Sequence, residues 1–323
     1  MKRTTIESIL KQNQVMVIDG SMATGLEHLG CDLNDTLWTA KVLADRPDLV
    51  KQVHIQYFQA GADCGITDSY QASLPRLIER GYSQQEAEAL IRSAVTIFRE
   101  AREEWWQQEG KAAGRAYPVC LGAVGPYGAY LADGSEYRGH YGVSDEVLRD
   151  FHARRMELLW QAGADVLMIE TQPSLQEALI EAELAEQLGA DYAISFSCAD
   201  GKHINEGDLI ADCAAELSSG HPHLRMIGVN CTHPKYIESL IKELKTSTSL
   251  PISVYPNSGE QYDPLTKKWY GAKQALRFKD YALIWMKAGA KAVGGCCQTD
   301  EDHIRQVAAA REEFCSKAPT DRI

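Results

Sequence analysis

One alternation constrains this chain more than any other feature. Short apolar runs alternate with longer stretches of helical period, and the pair recurs eight times along 323 residues. The runs are Val15–Ile18, Cys64–Thr67, Pro118–Gly122, Val166–Ile169, Tyr192–Phe196, Met226–Val229, Pro251–Val254 and Ala292–Gly294. Helical patterns such as Leu49–Ala60, Gln84–Gln108, Val147–Gln161 and Ser174–Leu188 lie between them. Several helices end on a similar phrase, Ala60-Gly61-Ala62, Ala162-Gly163-Ala164, Leu188-Gly189-Ala190 and Ala288-Gly289-Ala290, where glycine serves as a C-cap leading into the next strand.

Strands that are apolar on both faces belong to a parallel sheet covered by helices, and eight such units close a barrel. The expectation is a single-domain (β/α)8 TIM barrel over residues 1–314, followed by 315–323 as a disordered tail. A doubly wound open sheet is the rival. It calls for a glycine-rich nucleotide turn after the first strand, but that turn reads Asp19-Gly20-Ser21-Met22, and the glycines of Gly122 to Gly128 have the wrong spacing. The connections Pro126–Ser144 and Pro256–Gly271 are long for such a barrel and should overhang its catalytic face. Trp105-Trp106, in a helix rich in Glu, Gln and Arg, reads as packing against the barrel.

Composition narrows the class. A net charge of -12 and a pI near 5.3, with no basic cluster beyond pairs such as Lys267-Lys268, exclude a phosphate-backbone footprint, so no nucleic-acid partner is expected. The basic start is interrupted by Glu7, Lys11, Gln12 and Asn13 before any signal-like apolar run, and no stretch approaches ~18 consecutive apolar residues. The expectation is a cytoplasmic protein without a membrane partner. Nine cysteines without tight spacing suggest reduced thiols, some of them metal ligands or core residues, rather than a disulfide framework.

In a parallel barrel the C-terminal ends of all strands converge on one face, so polar residues just past each strand become neighbours. That face is stocked with Asp19, Thr67, Asp68, Ser69, Glu170, Thr171, Cys198, Cys231, Asn257, Cys296 and Cys297. Cys231, Cys296 and Cys297 can point three sulfurs at one spot, and three thiolates suit zinc with an open fourth position. Adjacent strand residues face opposite ways, so Cys296 and Cys297 can share an ion only if the chain leaves β geometry, a freedom ascribed to Gly294 and Gly295. Cys64, Cys120 and Cys213 read as ordinary buried thiols. Cys198 is a core or supporting residue, and His233 either a competing ligand or a loop histidine.

Asp19 and Glu170 can hold a substrate ammonium group, or instead act as bases or helix N-caps. The acids and aromatics Tyr127, Tyr130, Asp133, Glu136, Tyr137 and Tyr141, with Glu260, Tyr262 and Trp269 on the other long loop, can hold a cation or simply anchor their loops.

At these residues the chain resembles the zinc-dependent homocysteine S-methyltransferase family, from about Val15 to about Phe314. The signatures are Asp19-Gly20-Ser21, Gly228-Val229-Asn230-Cys231 and Gly294-Gly295-Cys296-Cys297, with Ile169-Glu170-Thr171 at the family's acidic position. The resemblance implies Zn2+ on Cys231, Cys296 and Cys297, homocysteine sulfur as the fourth ligand, and a substrate pocket drawn from Asp19, Gly20, Ser21, Thr67, Ser69, Glu170 and Asn257. It also implies methyl transfer from an onium donor to give methionine, a step of methionine biosynthesis. The sequence looks closest to the bacterial and plant branch that uses S-methylmethionine, and also S-adenosylmethionine, through Tyr255–Glu260 and the tyrosine-rich loop. Betaine-dependent relatives share Trp38 but carry tyrosine where this chain has Gln71, and there is no room for the folate and cobalamin modules of methionine synthase. A zinc hydrolase on the same barrel is the alternative of another class, but such sites favour His and carboxylate ligands. A metal-binding barrel without catalysis is a second, and an open site beneath long aromatic loops argues against it. Oligomeric state is not encoded in these patterns.

Overall fold

A computed structural model describes residues 5–33, 39–263, 268–270 and 276–317. The side chains of 261–275 lie outside the described set, as do Trp38 and 318–323.

All eight expected strands form one parallel sheet. They are Met16–Val17, Cys64–Ile66, Val119–Val124, Val166–Gln172, Tyr192–Phe196, Leu224–Asn230, Ile252–Tyr255 and Ala292–Val293, in the barrel order first, eighth, seventh, down to second. The first and second strands meet across the remaining seam. Asp63 N–H donates to Val17 O at 2.8 Å, and Val17 N–H donates back to the Asp63 carboxylate at 2.8 Å. Higher on the same seam, Ile66 N–H donates to Asp19 Oδ2 at 3.0 Å. Two side-chain carboxylates therefore complete the closure where regular pairing stops.

Side-chain alternation divides the core in two. Met16, Ile18, Val119, Leu121, Val166, Met168, Ala193, Met226 and Ala292 point into the barrel, where Ile6 and Ile9 of the helix Ile6–Asn13 join them. Val15, Val17, Cys120, Leu167, Ile194, Ile227 and Val293 point outward to the helices.

The helices begin and end as the sequence dictates. Ser83 makes a capping box with Glu86 at the head of Gln84–Trp105. Gly61, Gly163, Gly189 and Gly289 all take positive φ at helix ends. The expected continuation to Gln108 passes into a π turn at Trp106–Gly110, and Trp105 is buried against Phe58, centroids 5.4 Å apart. The last helix runs Glu301–Ser316, past the expected boundary at 314, and Cys315 Sγ contacts Asn13 O at 3.5 Å. After the seventh strand, Gln261–Asp263 pairs antiparallel with Lys268–Tyr270, the hairpin that carries Tyr262 opposite Trp269.

Candidate active site

Three sulfurs converge at the strand ends. Cys231 Sγ lies 2.6 Å from Cys296 Sγ and 3.7 Å from Cys297 Sγ, and all three lie within 4.8 Å of one another. Two thiolates at about 2.3 Å from a tetrahedral zinc stand roughly 3.8 Å apart, which the Cys231–Cys297 separation matches, whereas Cys231 and Cys296 stand closer together than such a site holds them. Cys231 follows the sixth strand with φ of 46°, a left-handed conformation unusual outside glycine. The eighth strand stops at Val293, so Cys296 and Cys297 do leave β geometry. Gly294 and Gly295 serve this differently from the expectation, since neither takes positive φ. They are needed for space: a Cβ on Gly294 would stand 2.6 Å from Ile18 Cβ, and one on Gly295 would crowd Thr299 Oγ1. The left-handed turn falls on Gln298 instead.

The electrostatics of the trio call for a cation. Hydrogen bonds from Cys296 and then Cys297 hold Cys231 well below the usual thiol range against its burial, with Tyr137 and Thr171 adding to the effect. The same contacts with Cys231 push Cys296 and Cys297 up. These contacts favour the thiolate at Cys231 and disfavour it at its two neighbours, and positive charge among the sulfurs would favour it at all three.

Beside the sulfurs the fourth strand is broken on purpose. Its register shifts between Ile169 and Gln172, and Thr171 takes φ of 60°. This bulge places Glu170, which is 6% exposed, where its Oε2 accepts from Tyr255 OH at 3.3 Å. Asp19, across the barrel mouth, is also buried, and its Oδ1 has no hydrogen-bond partner among the described residues. Burial raises both acids well above their ordinary range, and for Glu170 the charge of Cys231 and then Asp19 adds to it. The helix-cap alternative fails for both: Ser21 caps Met22–His28, Ser174 caps Leu175–Leu188, and Glu170 lies inside its strand.

The other expected pocket residues divide by what holds their polar atoms. Asn257 is buried with Oδ1 unpartnered among the described residues. Thr67 and Ser69 are committed to the scaffold: their hydroxyls are 2.8 Å apart, Thr67 accepts from Ala123 N–H at 3.0 Å, and Ser69 donates to Ala123 O at 2.8 Å. Ser21 Oγ is likewise used in capping Thr24 N–H at 3.2 Å. A Cβ on Gly20 would strike the Tyr57 ring at 2.7 Å, which explains the glycine there. Cys198 is buried apart from the trio, and His233 caps Pro234–Ser247 with Nδ1 accepting from Lys235 N–H.

The first long loop serves both purposes allowed it. Tyr127 and Tyr130 pack on Phe151 at 5.1 and 5.4 Å, whereas Glu136 and Tyr137 lie close enough to Cys231 for their electrostatics to couple. Burial raises Glu136 to about 7, with Cys231 and Asp133 adding to it.

A model of the homocysteine S-methyltransferase family matches residues 16–311. The chain belongs to that family. It is 50% identical over 305 residues to homocysteine S-methyltransferase YbgG of Bacillus subtilis, an alignment covering 94% of this chain and 96% of that one. It is 45% identical to homocysteine S-methyltransferase 1 of Zea mays, over 90% of this chain and 92% of the relative. The crystal structure of the homocysteine methyltransferase MmuM from Escherichia coli in its metallated form superposes with a TM-score of 0.84 at 39% identity, covering 94% of this chain and 99% of that one.

Two features beside the site have no role that the sequence alone assigns. Asn230 lies inside a signature but carried no role. Its Oδ1 accepts from Thr171 N–H at 2.8 Å and its Nδ2 donates to Thr171 Oγ1 at 2.7 Å, so it holds the bulge that carries Glu170. The other is a buried quartet behind the long loop. His152 stands between Glu177, 2.8 Å from Nε2, and Glu181, 2.9 Å from Nδ1, with buried Arg155 beside them. Glu177 accepts from Tyr127 N–H at 2.5 Å and Arg155 donates to Gly125 O, which braces the start of the loop. Only a three-dimensional view brings these four together.

Proposed function

We propose that the chain transfers a methyl group from S-methylmethionine, or from S-adenosylmethionine, to the sulfur of L-homocysteine and so forms methionine. The single observation that carries this reading is the convergence of three cysteine sulfurs beside buried carboxylates that lack enough donors of their own. Cys231, Cys296 and Cys297 would hold zinc, whose Lewis acidity, when bound, removes the proton from a substrate thiol whose pKa is otherwise about 8.5 or above. Asp19 and Glu170 receive the substrate ammonium, which satisfies the bare Asp19 Oδ1 and keeps both acids ionised. The substrate thiolate attacks the methyl carbon as the carbon–sulfur bond to the donor breaks, and the bonding pair leaves with the donor sulfur. No proton moves in that step, so the protein contributes alignment and exclusion of water rather than acid or base catalysis.

A betaine donor is disfavoured by Gln71. All nine thiols are free, which fits a reducing cytosol, and no described helix is long and apolar enough to cross a membrane. The test is to incubate reduced, zinc-loaded protein with homocysteine and each of S-methylmethionine, S-adenosylmethionine and betaine, and to quantify methionine by mass spectrometry. Methionine from a sulfonium donor, lost with a chelator and in Cys297→Ala, supports the reading. Zinc bound stoichiometrically without methionine from any donor overturns it.

A further inference from the structure

Glu136 differs from every other acid around the sulfurs, because it is delivered by a loop rather than a strand end. The turn Ser135–Tyr137 is clamped on several sides. A Cβ on Gly128 would stand 2.5 Å from Glu136 N, Asp133 accepts from Ser135 N–H at 2.9 Å, and Ser197 Oγ donates to Glu136 O at 3.2 Å. The backbone is therefore fixed, yet Oε2 is buried with no hydrogen-bond donor among the described residues. Leaving a carboxylate oxygen dry and unmatched is costly unless a ligand supplies positive charge.

Two tyrosines, Tyr70 and Tyr137, lie within electrostatic reach of Glu136 and of Cys231. Tyr137 hydrogen-bonds Cys231 and interacts with Cys297, Tyr70 and Glu136. Tyr70 feels Glu136, Cys231 and Glu170 together, and its ring packs on the backbone of Gly125, where a Cβ would stand 2.7 Å from it. A sulfonium centre has no N–H to donate, so it is recognised by ring faces and by an anion rather than by directed hydrogen bonds. Rings, carboxylate and sulfur cluster here side by side.

We propose that Glu136, flanked by Tyr70 and Tyr137, forms the subsite for the sulfonium centre of the methyl donor and selects it for charge. The inference rests on the methyl-transfer reading above. It also assigns a particular kind of work to Glu136. The donor sulfur keeps much of its positive charge in the transition state and loses it only once the methyl group has left, so a carboxylate beside it stabilises donor and transition state to similar extents. Glu136 is thus a specificity residue that lowers the donor KM and lets the uncharged product go, without raising kcat.

The test compares Glu136→Gln with wild type using S-methylmethionine and, as an uncharged methyl donor, iodomethane. Zinc content and the homocysteine KM are measured alongside. The expected result is a rise in the S-methylmethionine KM of about ten-fold with kcat within about two-fold, and a fall of about ten-fold in the preference for S-methylmethionine over iodomethane. Equal weakening of both donors, or a lower kcat at unchanged KM, overturns the proposal. A wild-type arm covers the case in which the variant does not fold: 2-amino-5-methylhexanoate replaces the sulfonium of S-methylmethionine by an uncharged CH. It should bind at least about ten-fold more weakly than S-methylmethionine. Equal binding overturns the charge selection. Wild-type protein inactive with every donor would instead overturn the methyl-transfer reading itself.

Discussion

Asn230 and Thr171 grip each other through both ends of the asparagine amide, with Oδ1 taking the Thr171 N–H and Nδ2 meeting the Thr171 hydroxyl. Thr171 is left-handed and directly follows Glu170, so this pair fixes a conformation that the strand would not adopt alone. Asn230→Ala would leave the buried Thr171 N–H unmatched and take one partner from its hydroxyl, which keeps Cys231 and Tyr70, at a cost of about 2 kcal/mol. Chemical denaturation should show that loss, and the homocysteine KM should rise because Glu170 is no longer held. A variant with wild-type stability and KM would mean the bulge is set by something else.

The metal site should discriminate sharply among cysteines that look alike in composition. Cys231→Ala, Cys296→Ala and Cys297→Ala each remove one of three convergent sulfurs, and each should lower bound metal well below one equivalent after dialysis, measured by elemental analysis. Cys198→Ala changes a buried thiol outside the trio and should keep its full equivalent. Metal retained in all four variants would show that the ion binds elsewhere.

How much of this was legible in the sequence depends on how local the cause is. The strands, the C-cap glycines and the three cysteines could be read because periodicity and barrel topology alone carry strand ends to one face. Thr67 and Ser69 were also on that face, but sequence does not show that their hydroxyls are occupied by Ala123 on the next strand. Gly294 and Gly295 were noticed for the wrong property, because conformational freedom and close approach produce the same letter. Glu136 and Tyr127 sit in one loop of similar composition. Only packing on Phe151 separates the anchor from the residue near Cys231. The quartet of His152, Arg155, Glu177 and Glu181 joins two helices whose facing is invisible to a linear reading.

The barrel seam gives a third prediction. Asp63 is fully buried, stands in for a missing strand pair to Val17, and is matched by Arg311 at 2.5 Å and Arg115 at 3.5 Å. Burial raises its pKa, while Arg311 is the largest influence pulling it down. Arg311→Ala should destabilise by about 3 kcal/mol, because removing one partner leaves a buried charge poorly matched. Thermal unfolding should report a lower Tm. A change below about 0.5 kcal/mol, the scale of an exposed pair, would show that Arg115 and the Asn13 amide, which donates to Asp63 Oδ1 at 3.3 Å, suffice.

Stability on the acid side should be governed in part by His54. The ring is fully buried edge-on to Phe98, centroids 5.0 Å apart, and neither nitrogen has a hydrogen-bond partner among the described residues. Burial alone lowers its pKa to about 3. In the unfolded chain the ring takes up a proton near pH 6.5, while in the folded chain it stays neutral down to about 3. Between those limits the unfolded state binds more protons, so stability falls as pH falls, by about 2 kcal/mol between pH 6.5 and pH 5 from this residue. His54→Phe keeps an aromatic ring against Phe98 and removes the titration. Its unfolding free energy, measured from pH 7 to 5, should decline less steeply than that of the wild type by that amount. Parallel pH curves for the two proteins would show that His54 finds a way to be protonated while folded.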